Sequence, residues 1–149
     1  MKTKEFILIF CFFFFTIISS SSEEIQFDSS NMDIKNEGNL IIAYNSKLKL
    51  PNKQVFISSK KATYDKLNNF LTFENNVYLK DEVENIIIES DKINYDRNKN
   101  LFFSIGDTEI NLNEKYHIKS KNIFFDRGLN IIYGNYKTII KDNKKIIII

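Results

Sequence analysis

The sequence repeats itself four times at intervals of about thirty residues, so the fold must be built from copies of one unit. Each copy begins with two apolar residues in alternate positions, and the second member of that pair falls at positions 27, 57, 88 and 118. The spacings are 30, 31 and 30 residues. A serine and then an asparagine recur in register with these pairs: Ser29, Ser59, Ser90 and Ser120, and Asn39, Asn69, Asn100 and Asn130.

Each copy carries a second apolar pair that alternates out of phase with the first. Ile86 and Ile88 occupy even positions, whereas Ile93 and Tyr95 occupy odd ones, and the other copies show the same switch. Because residues two apart share a face of a strand, one regular strand would place the two pairs on opposite faces. Either a β-bulge near the serine redirects the side chains, or the segment feeds both faces of a sheet. We favour the bulge, because it lets one strand continue and curves the sheet.

The rest of the chain after position 22 is typical of an all-β protein. Short runs of β-branched and aromatic residues alternate with Asn- and Asp-rich turns, and no helical apolar stripe persists for more than two turns. Each repeat supplies roughly a hairpin and a half, so four repeats predict about eight to ten strands. A two-sheet β-jelly-roll or sandwich accommodates that number.

The first 22 residues are expected to be a secretory signal peptide. Two lysines precede a thirteen-residue apolar run at positions 6–18, and four serines follow at 19–22. An uncleaved membrane anchor is the alternative, although a span needs about 20 apolar residues. Cys11, the only cysteine, lies inside the apolar run. The predicted domain, residues 23–149, therefore has no thiol for a disulfide or a metal.

The charge balance of the predicted domain argues against nucleic acid as a partner. Once residues 1–22 are removed, 19 of the 21 basic and 18 of the 19 acidic side chains remain. The net charge is then close to zero, whereas phosphate binding needs a basic surplus.

The sequence predicts no enzyme activity. It also predicts no catalytic residues, no metal and no other cofactor. His117 is the only histidine, which excludes a multi-histidine metal site and leaves a Ser-His-Asp arrangement without support. The acidic residues Glu82, Glu84, Glu89 and Asp91 flank predicted strands without a spacing shared between repeats. We interpret them as a solvated face.

The strand SDKINYD at 90–96, followed by NLFFSIGDT at 100–108, resembles the organic-solvent-tolerance-A-like (OstA-like) domain. That domain occurs in the periplasmic lipopolysaccharide-transport protein A (LptA) and in the N-terminal periplasmic part of the lipopolysaccharide-assembly protein LptD, which this chain resembles most. Lys61, Lys92 and Asn122 occupy or neighbour the lysine position of the family motif. The Gly-Asn-Val break of the family reads NNV, GDT and GNY here, so only the third keeps Gly-Asn and only the first keeps Val.

The resemblance implies a curved, open β-jelly-roll in the periplasm, associated with the outer membrane. Its apolar groove would shield the lipid A acyl chains of lipopolysaccharide, and its edge strands would pair with other Lpt jelly-roll domains. In a closed sandwich the same side chains would instead pack against one another. The candidate groove residues are Phe73, Val77, Leu79, Ile93, Tyr95, Phe103, Ile110, Ile123 and Phe125.

Two further expectations concern the end of the chain and its function. KKIIII at 144–149 stops within a predicted strand, so we expect a chain that is truncated at its C-terminus. The functional alternatives are a stand-alone bridge component like LptA or LptC, and a structural or adhesive secreted β-repeat protein without lipid cargo.

Overall fold

The computed structural model describes residues 25–142 and 146–148, most of which lie in β-strands. The signal-peptide prediction for 1–22 lies outside the described residues. Within the described ranges, no helix is long and apolar enough to cross a membrane. Two single 3-10 turns occur at Asn36–Gly38 and Pro51–Lys53. The strands are β1 (Gln26–Asp28), β2 (Asn31–Lys35), β3 (Leu40–Leu50), β4 (Val55–Asp65), β5 (Phe70–Asp81), β6 (Ile86–Asp96), β7 (Leu101–Leu112), β8 (Tyr116–Lys121), β9 (Phe124–Asp126), β10 (Ile131–Tyr133), β11 (Ile139–Lys141) and β12 (Ile146–Ile148).

All twelve described strands belong to one antiparallel sheet with the order β1-β3-β4-β5-β6-β7-β8-β11-β12. That is somewhat more than the eight to ten strands that the repeats predict, because short strands are added at both ends of the sheet. The sheet divides at both ends. β1 and β2 pair with different halves of β3, and β8 and β9 pair with different halves of β7. The sheet thereby folds into two layers, which accounts for the expected two-sheet appearance.

The two layers are defined by the halves of the long strands. The first layer contains β2, β9, β10 and the halves of β3–β7 that end at the repeated asparagine turns. The second layer contains β1, β8, β11, β12 and the opposite halves of β3–β7. One curved antiparallel sheet folded in this way is a β-jelly-roll, as the sequence predicted.

The long strands bend where the sequence switches the parity of its apolar residues. The pairing register shifts between Ser58 and Lys61 in β4. It shifts again between Ser90 and Lys92 in β6. The apolar pairs on both sides of the β6 bend belong to one buried core. The bulge predicted near the serine is therefore confirmed, because it turns both pairs toward the same interior.

The repeated serines lie at this bend and bond to backbone carbonyls. The hydroxyl of Ser59 donates to the carbonyl of Lys61 at 2.9 Å, and that of Ser90 donates to the carbonyl of Asp107 at 3.2 Å. A bulge interrupts the regular ladder, so its polar backbone groups need other partners. Ser59 and Ser90 supply such a partner from a short side chain.

The repeated asparagines form the turns of the first layer. Asn69, Asn100 and Asn130 have φ angles of 53–54°, in the left-handed region that asparagine tolerates better than most residues. The carbonyls of Asn69 and Asn100 accept the backbone N–H groups of Arg97 and Arg127, both at 3.2 Å. Asn69 and Asn100 therefore each shape their own turn and connect it to the turn of the next copy.

The middle of the interior is filled by aromatic and aliphatic side chains. Tyr95, Phe73, Phe102 and Phe125 are among the largest fully buried residues. The ring centroids of Tyr95 and Phe102 lie 4.0 Å apart, and those of Phe102 and Phe125 lie 6.1 Å apart. Buried aromatic groups of this size dominate the energetics of a small core.

Candidate functional site

Eight of the nine candidate groove residues share the inner face of the sheet. Each is no more than 5% exposed, and all eight belong to one hydrophobic core. Their side chains pack against one another, which is the arrangement expected of a closed core. The eight residues are Phe73, Val77, Leu79, Ile93, Tyr95, Ile110, Ile123 and Phe125.

The ninth candidate, Phe103, lies on the outer face, so its inward placement needs correction. Its ring contacts those of Phe70 and Phe124, at centroid distances of 6.2 and 5.8 Å. The neighbouring Phe102 is 1% exposed and faces inward instead. Since side chains alternate along a strand, only one of two adjacent phenylalanines can enter the core.

A cavity of about 1060 Å³ lies between the two layers at the C-terminal end of the roll. A much smaller space of about 10 Å³ lies beside Phe102 and Phe125 in the filled middle. The large cavity, termed the end cavity, also has polar wall groups, among them Asn130 and Lys137. Its main apolar wall residues are Ile86, Leu112, Ile118, Ile123, Ile132 and Ile140.

The end cavity lies beyond β7, where the two layers no longer share strands. In the second layer, Ile140 of β11 pairs with Ile118 of β8. In the first layer, Ile132 of β10 pairs with Phe125 of β9. These pairs put apolar side chains on the facing sides of two short strand groups, and no described strand fills the space between them.

Of the nine candidates predicted from the sequence, only Ile123 lines this cavity. The candidates predicted from the sequence did not include Leu112, Ile118, Ile132 and Ile140, which line the same space. A weak signal was present, because Ile118 belongs to the fourth copy of the repeating apolar pair. The sequence repeat alone could not show that the fourth copy lines a cavity.

A polar cluster joins the two layers along the side of the roll. From a first-layer turn, the Arg127 guanidinium donates to the Asp81 carboxylate, with 2.5 Å between Nε and Oδ2, and to the carbonyl of Lys53, with Nη2 at 2.6 Å. From a second-layer turn, the Lys53 ammonium donates to Tyr95 Oη at 2.5 Å and to Asn100 Oδ1 at 3.1 Å. These five residues are termed the clasp.

The ion pair inside the clasp is shielded from water. Asp81 is 0% exposed, and its Oδ1 also accepts the backbone N–H groups of Val83 and Glu84 at 3.0 and 3.1 Å. Burial acts to lower the pKa of Arg127, but the hydrogen bond and negative charge of Asp81 outweigh it, so that the pKa is raised. Arg127 therefore stays protonated, and the pair holds a turn of one layer against the end of a strand of the other.

Further polar contacts lie outside the clasp. Glu74 accepts hydrogen bonds from Lys92 at 2.9 Å and from Lys61 at 3.1 Å, and these bonds lower its pKa. The half-buried His117 bonds to Asn111 at 2.8 Å through Nδ1. Among the described residues, no group of three or more His, Cys, Asp or Glu side chains is arranged to hold a metal ion.

The fold and the cavity define a class: a curved β-jelly-roll made from one folded antiparallel sheet, with an apolar cavity at one end. A solved structure with a similar fold is that of LptH from Pseudomonas aeruginosa, the LptA-homologous periplasmic component of the conserved lipopolysaccharide transport device. The TM-score is 0.67 at 10% sequence identity, over 76% of this chain and 82% of the LptH chain. At that identity the similarity establishes the fold. No protein-family model and no curated protein sequence matches the chain.

Proposed function

We propose that this protein is a periplasmic lipopolysaccharide-transport domain that shields lipid A acyl chains in its end cavity. The observation that carries the proposal is the end cavity itself, an apolar space of about 1060 Å³ in a jelly-roll of the kind that LptH also has. LptH is a periplasmic component of a lipopolysaccharide transport device, which supports the proposed compartment. Association with the outer membrane is part of the proposal.

The energy of such an interaction is sufficient for transient binding. Each buried methylene contributes about 0.8 kcal/mol, so complete burial of a twelve-carbon chain would contribute roughly 10 kcal/mol before entropic costs. A transport domain must release its cargo, and a cavity that opens at one end shields a chain only in part. Partial shielding lowers the barrier to release.

Of the eight buried candidates, Ile123 lines the end cavity, and the other seven act in this proposal as the packed core behind the site. Their direct contact with acyl chains stays a prediction, because in the described structure they contact one another. The side chains that we propose for the first contact with cargo are those of Leu112, Ile132 and Ile140.

Edge-strand pairing with other Lpt jelly-roll domains is the second part of the proposal. Within the described strands, β1 and β2 pair only with β3, while β10 and β12 pair only with β9 and β11. Both ends of the sheet therefore present strands with one unpaired side, which favours β-augmentation. A role as the N-terminal part of an LptD protein and a role as a stand-alone bridge both fit this arrangement.

Site-specific photo-crosslinking tests the proposal. A photoreactive phenylalanine at Ile140, which faces the end cavity, is compared with the same probe at Ile139, the adjacent residue on the outer face. The protein is exported to the periplasm of a lipopolysaccharide-producing cell, irradiated and probed for lipopolysaccharide adducts. The two positions share a strand and are both half-buried, so they differ mainly in the face that they occupy.

Adducts at position 140 with few or none at position 139 are the expected result. Equal labelling at both positions, or no adducts from a protein shown to be folded, would overturn the proposal. The second result favours the structural β-repeat, for which the densely packed middle of the roll is the supporting observation.

A further inference from the structure

We propose that a second space, on the outer face of the second layer beside the end cavity, binds the phosphate headgroup of an amphiphile whose apolar chain occupies the end cavity. This second space is termed the outer hollow. The inference rests on the proposed lipid-binding function and deepens it, because it assigns a chemical class to the cargo: a lipid with a phosphate group next to its chains.

The outer hollow has a volume of about 500 Å³ and a wall that carries charged side chains. Among the described residues, three lysines line it: Lys119 and Lys121 of β8, and Lys137 just before β11. Asp107 and Glu109 of β7 are the acidic side chains on the same described wall, so positive charges outnumber negative ones. A concave surface with a surplus of positive charge attracts anions.

The lysines differ in how firmly they are already paired. Lys119 is bound to Glu109. Lys121 contacts Asp107 with 3.3 Å between Nζ and Oδ1, but the two side chains are 60% and 86% exposed, and so open an ion pair is weak. Lys137 is exposed and forms no ion pair with any residue that the structure describes. Lys121 and Lys137 are therefore available to an incoming anion.

The segment that carries Lys137 is held in place by the serine of the fourth repeat. This segment, positions 134–138, connects β10 of the first layer with β11 of the second. The hydroxyl of Ser120 donates to the carbonyl of Lys137 at 3.3 Å, and the hydroxyl of Thr138 donates to that of Ser120 at 2.9 Å. Because Ser120 directly precedes Lys121, these bonds hold the backbones of the two available lysines on one wall.

The same segment separates the outer hollow from the end cavity. Tyr136 and Lys137 line both spaces. Along β8, Ile118 lines the end cavity and the adjacent Lys119 lines the outer hollow, as the alternation of side chains in a strand requires. A molecule bound across the segment would therefore place its chain among apolar side chains and its headgroup among lysines.

A phosphate group matches these lysines better than a carboxylate does. A phosphate monoester carries about −1.5 to −2 charges near neutral pH and has three acceptor oxygens. Lysine binds phosphate as a point charge on a flexible stem. One phosphate can thus accept from Lys121 and Lys137 together, whereas a carboxylate offers Lys121 no more charge than Asp107 already supplies.

Isothermal titration calorimetry of the exported protein tests the proposal. The ligands are monododecyl phosphate, uncharged monododecyl glycerol and inorganic phosphate, with both amphiphiles kept below the concentration at which they aggregate. The wild-type protein should bind the alkyl phosphate roughly tenfold more tightly than the glycerol ether at low ionic strength. Added salt should reduce that difference. Inorganic phosphate should bind far more weakly than the alkyl phosphate, because it has no chain to bury.

Three substitutions on the wall of the outer hollow have opposite expected signs. Lys121→Gln and Lys137→Gln should each weaken binding of the alkyl phosphate roughly two- to fivefold and change that of the glycerol ether little. Asp107→Asn removes the carboxylate that competes for Lys121, so the alkyl phosphate should bind roughly two- to fivefold more tightly.

Lys47→Gln is the matched control. Lys47 is exposed on the outer face of the same layer, in β3, and its substitution removes the same charge far along the sheet. Its affinity for the alkyl phosphate should equal that of the wild type.

Several outcomes would overturn the headgroup site while leaving the proposed function in place. One is equal affinity of the wild type for the alkyl phosphate and the glycerol ether; another is unchanged binding in both Lys121→Gln and Lys137→Gln. An equal loss in Lys47→Gln would reveal an effect of net charge alone. Inorganic phosphate that binds as tightly as the alkyl phosphate would show a free-anion site independent of the end cavity. If neither amphiphile binds the wild-type protein, the proposed function itself fails.

Discussion

Arg127 and Asp81 lie 46 residues apart in the chain and form an ion pair between the two layers of the sheet, with 2.5 Å between Nε and Oδ2. The arginine side chain is 11% exposed and the aspartate side chain 0%. A carboxylate with so little contact with water must be paired, because burial of an isolated charge is strongly unfavourable. The pair therefore links the stability of the fold to the closure of the roll.

The first prediction concerns the stability contributed by this pair. Arg127→Gln should lower the free energy of unfolding by about 3–5 kcal/mol, since it leaves the Asp81 carboxylate buried without its cation. Urea denaturation of the exported protein measures the loss. Asp81→Asn combined with Arg127→Gln should lose less than the sum of the two single substitutions, because the double variant buries no unpaired charge. Strictly additive losses would contradict the pairing.

The second prediction concerns the buried hydroxyl of Ser104. Its Oγ accepts the backbone N–H of Ile123 at 2.9 Å and the Thr108 hydroxyl at 2.7 Å. Ser104→Ala removes the acceptor for both donors, so unfolding should become easier by about 1–3 kcal/mol. Thermal unfolding followed by circular dichroism measures the change. A variant as stable as the wild type would show that water replaces the hydroxyl.

The third prediction compares two adjacent phenylalanines. Phe102→Ala should destabilise the protein by about 3–5 kcal/mol, because it empties a fully buried position. Phe103→Ala should have a clearly smaller effect, since its ring lies on the outer face between Phe70 and Phe124. Chemical denaturation of both variants under the same conditions provides the comparison. A larger loss for Phe103→Ala would mean that β7 faces the other way.

The fourth prediction concerns pH. Hydrogen bonds from Lys92 and Lys61 lower the pKa of Glu74 from its usual 4.5 in the folded state. Glu74 should therefore stabilise the fold above about pH 4.5, and the contribution should disappear as the pH falls through the lowered pKa. The difference in unfolding free energy between the wild type and Glu74→Gln should shrink over that range.

A matched control for the pH experiment is Glu89→Gln. Glu89 is exposed and forms no ion pair within the part of the chain that the structure describes. Its substitution should change stability little across the same pH range. A Glu74→Gln difference that stays constant as the pH falls below 4.5 would contradict the coupling of Glu74 to its two lysines.

Much of the fold could be predicted because its determinants act locally. Strand periodicity, the parity switch near Ser59 and Ser90, and the left-handed turns at Asn69 and Asn100 each depend on a few neighbouring residues. The same repeat predicted an inner face that contains eight of the nine candidates. It could not choose between Phe102 and Phe103, because adjacent phenylalanines satisfy either alternation.

The sequence by itself determined that this chain is an all-β repeat whose strands bend at regular intervals, since apolar alternation and turn residues express preferences of the local backbone. Only the tertiary structure decided that the middle of the roll is filled, that the cavity lies beyond β7, and that Arg127 of one layer bonds to Asp81 of the other. These features depend on which side chains meet after two layers fold together. Contacts between residues so far apart in the chain leave no periodic trace in the sequence.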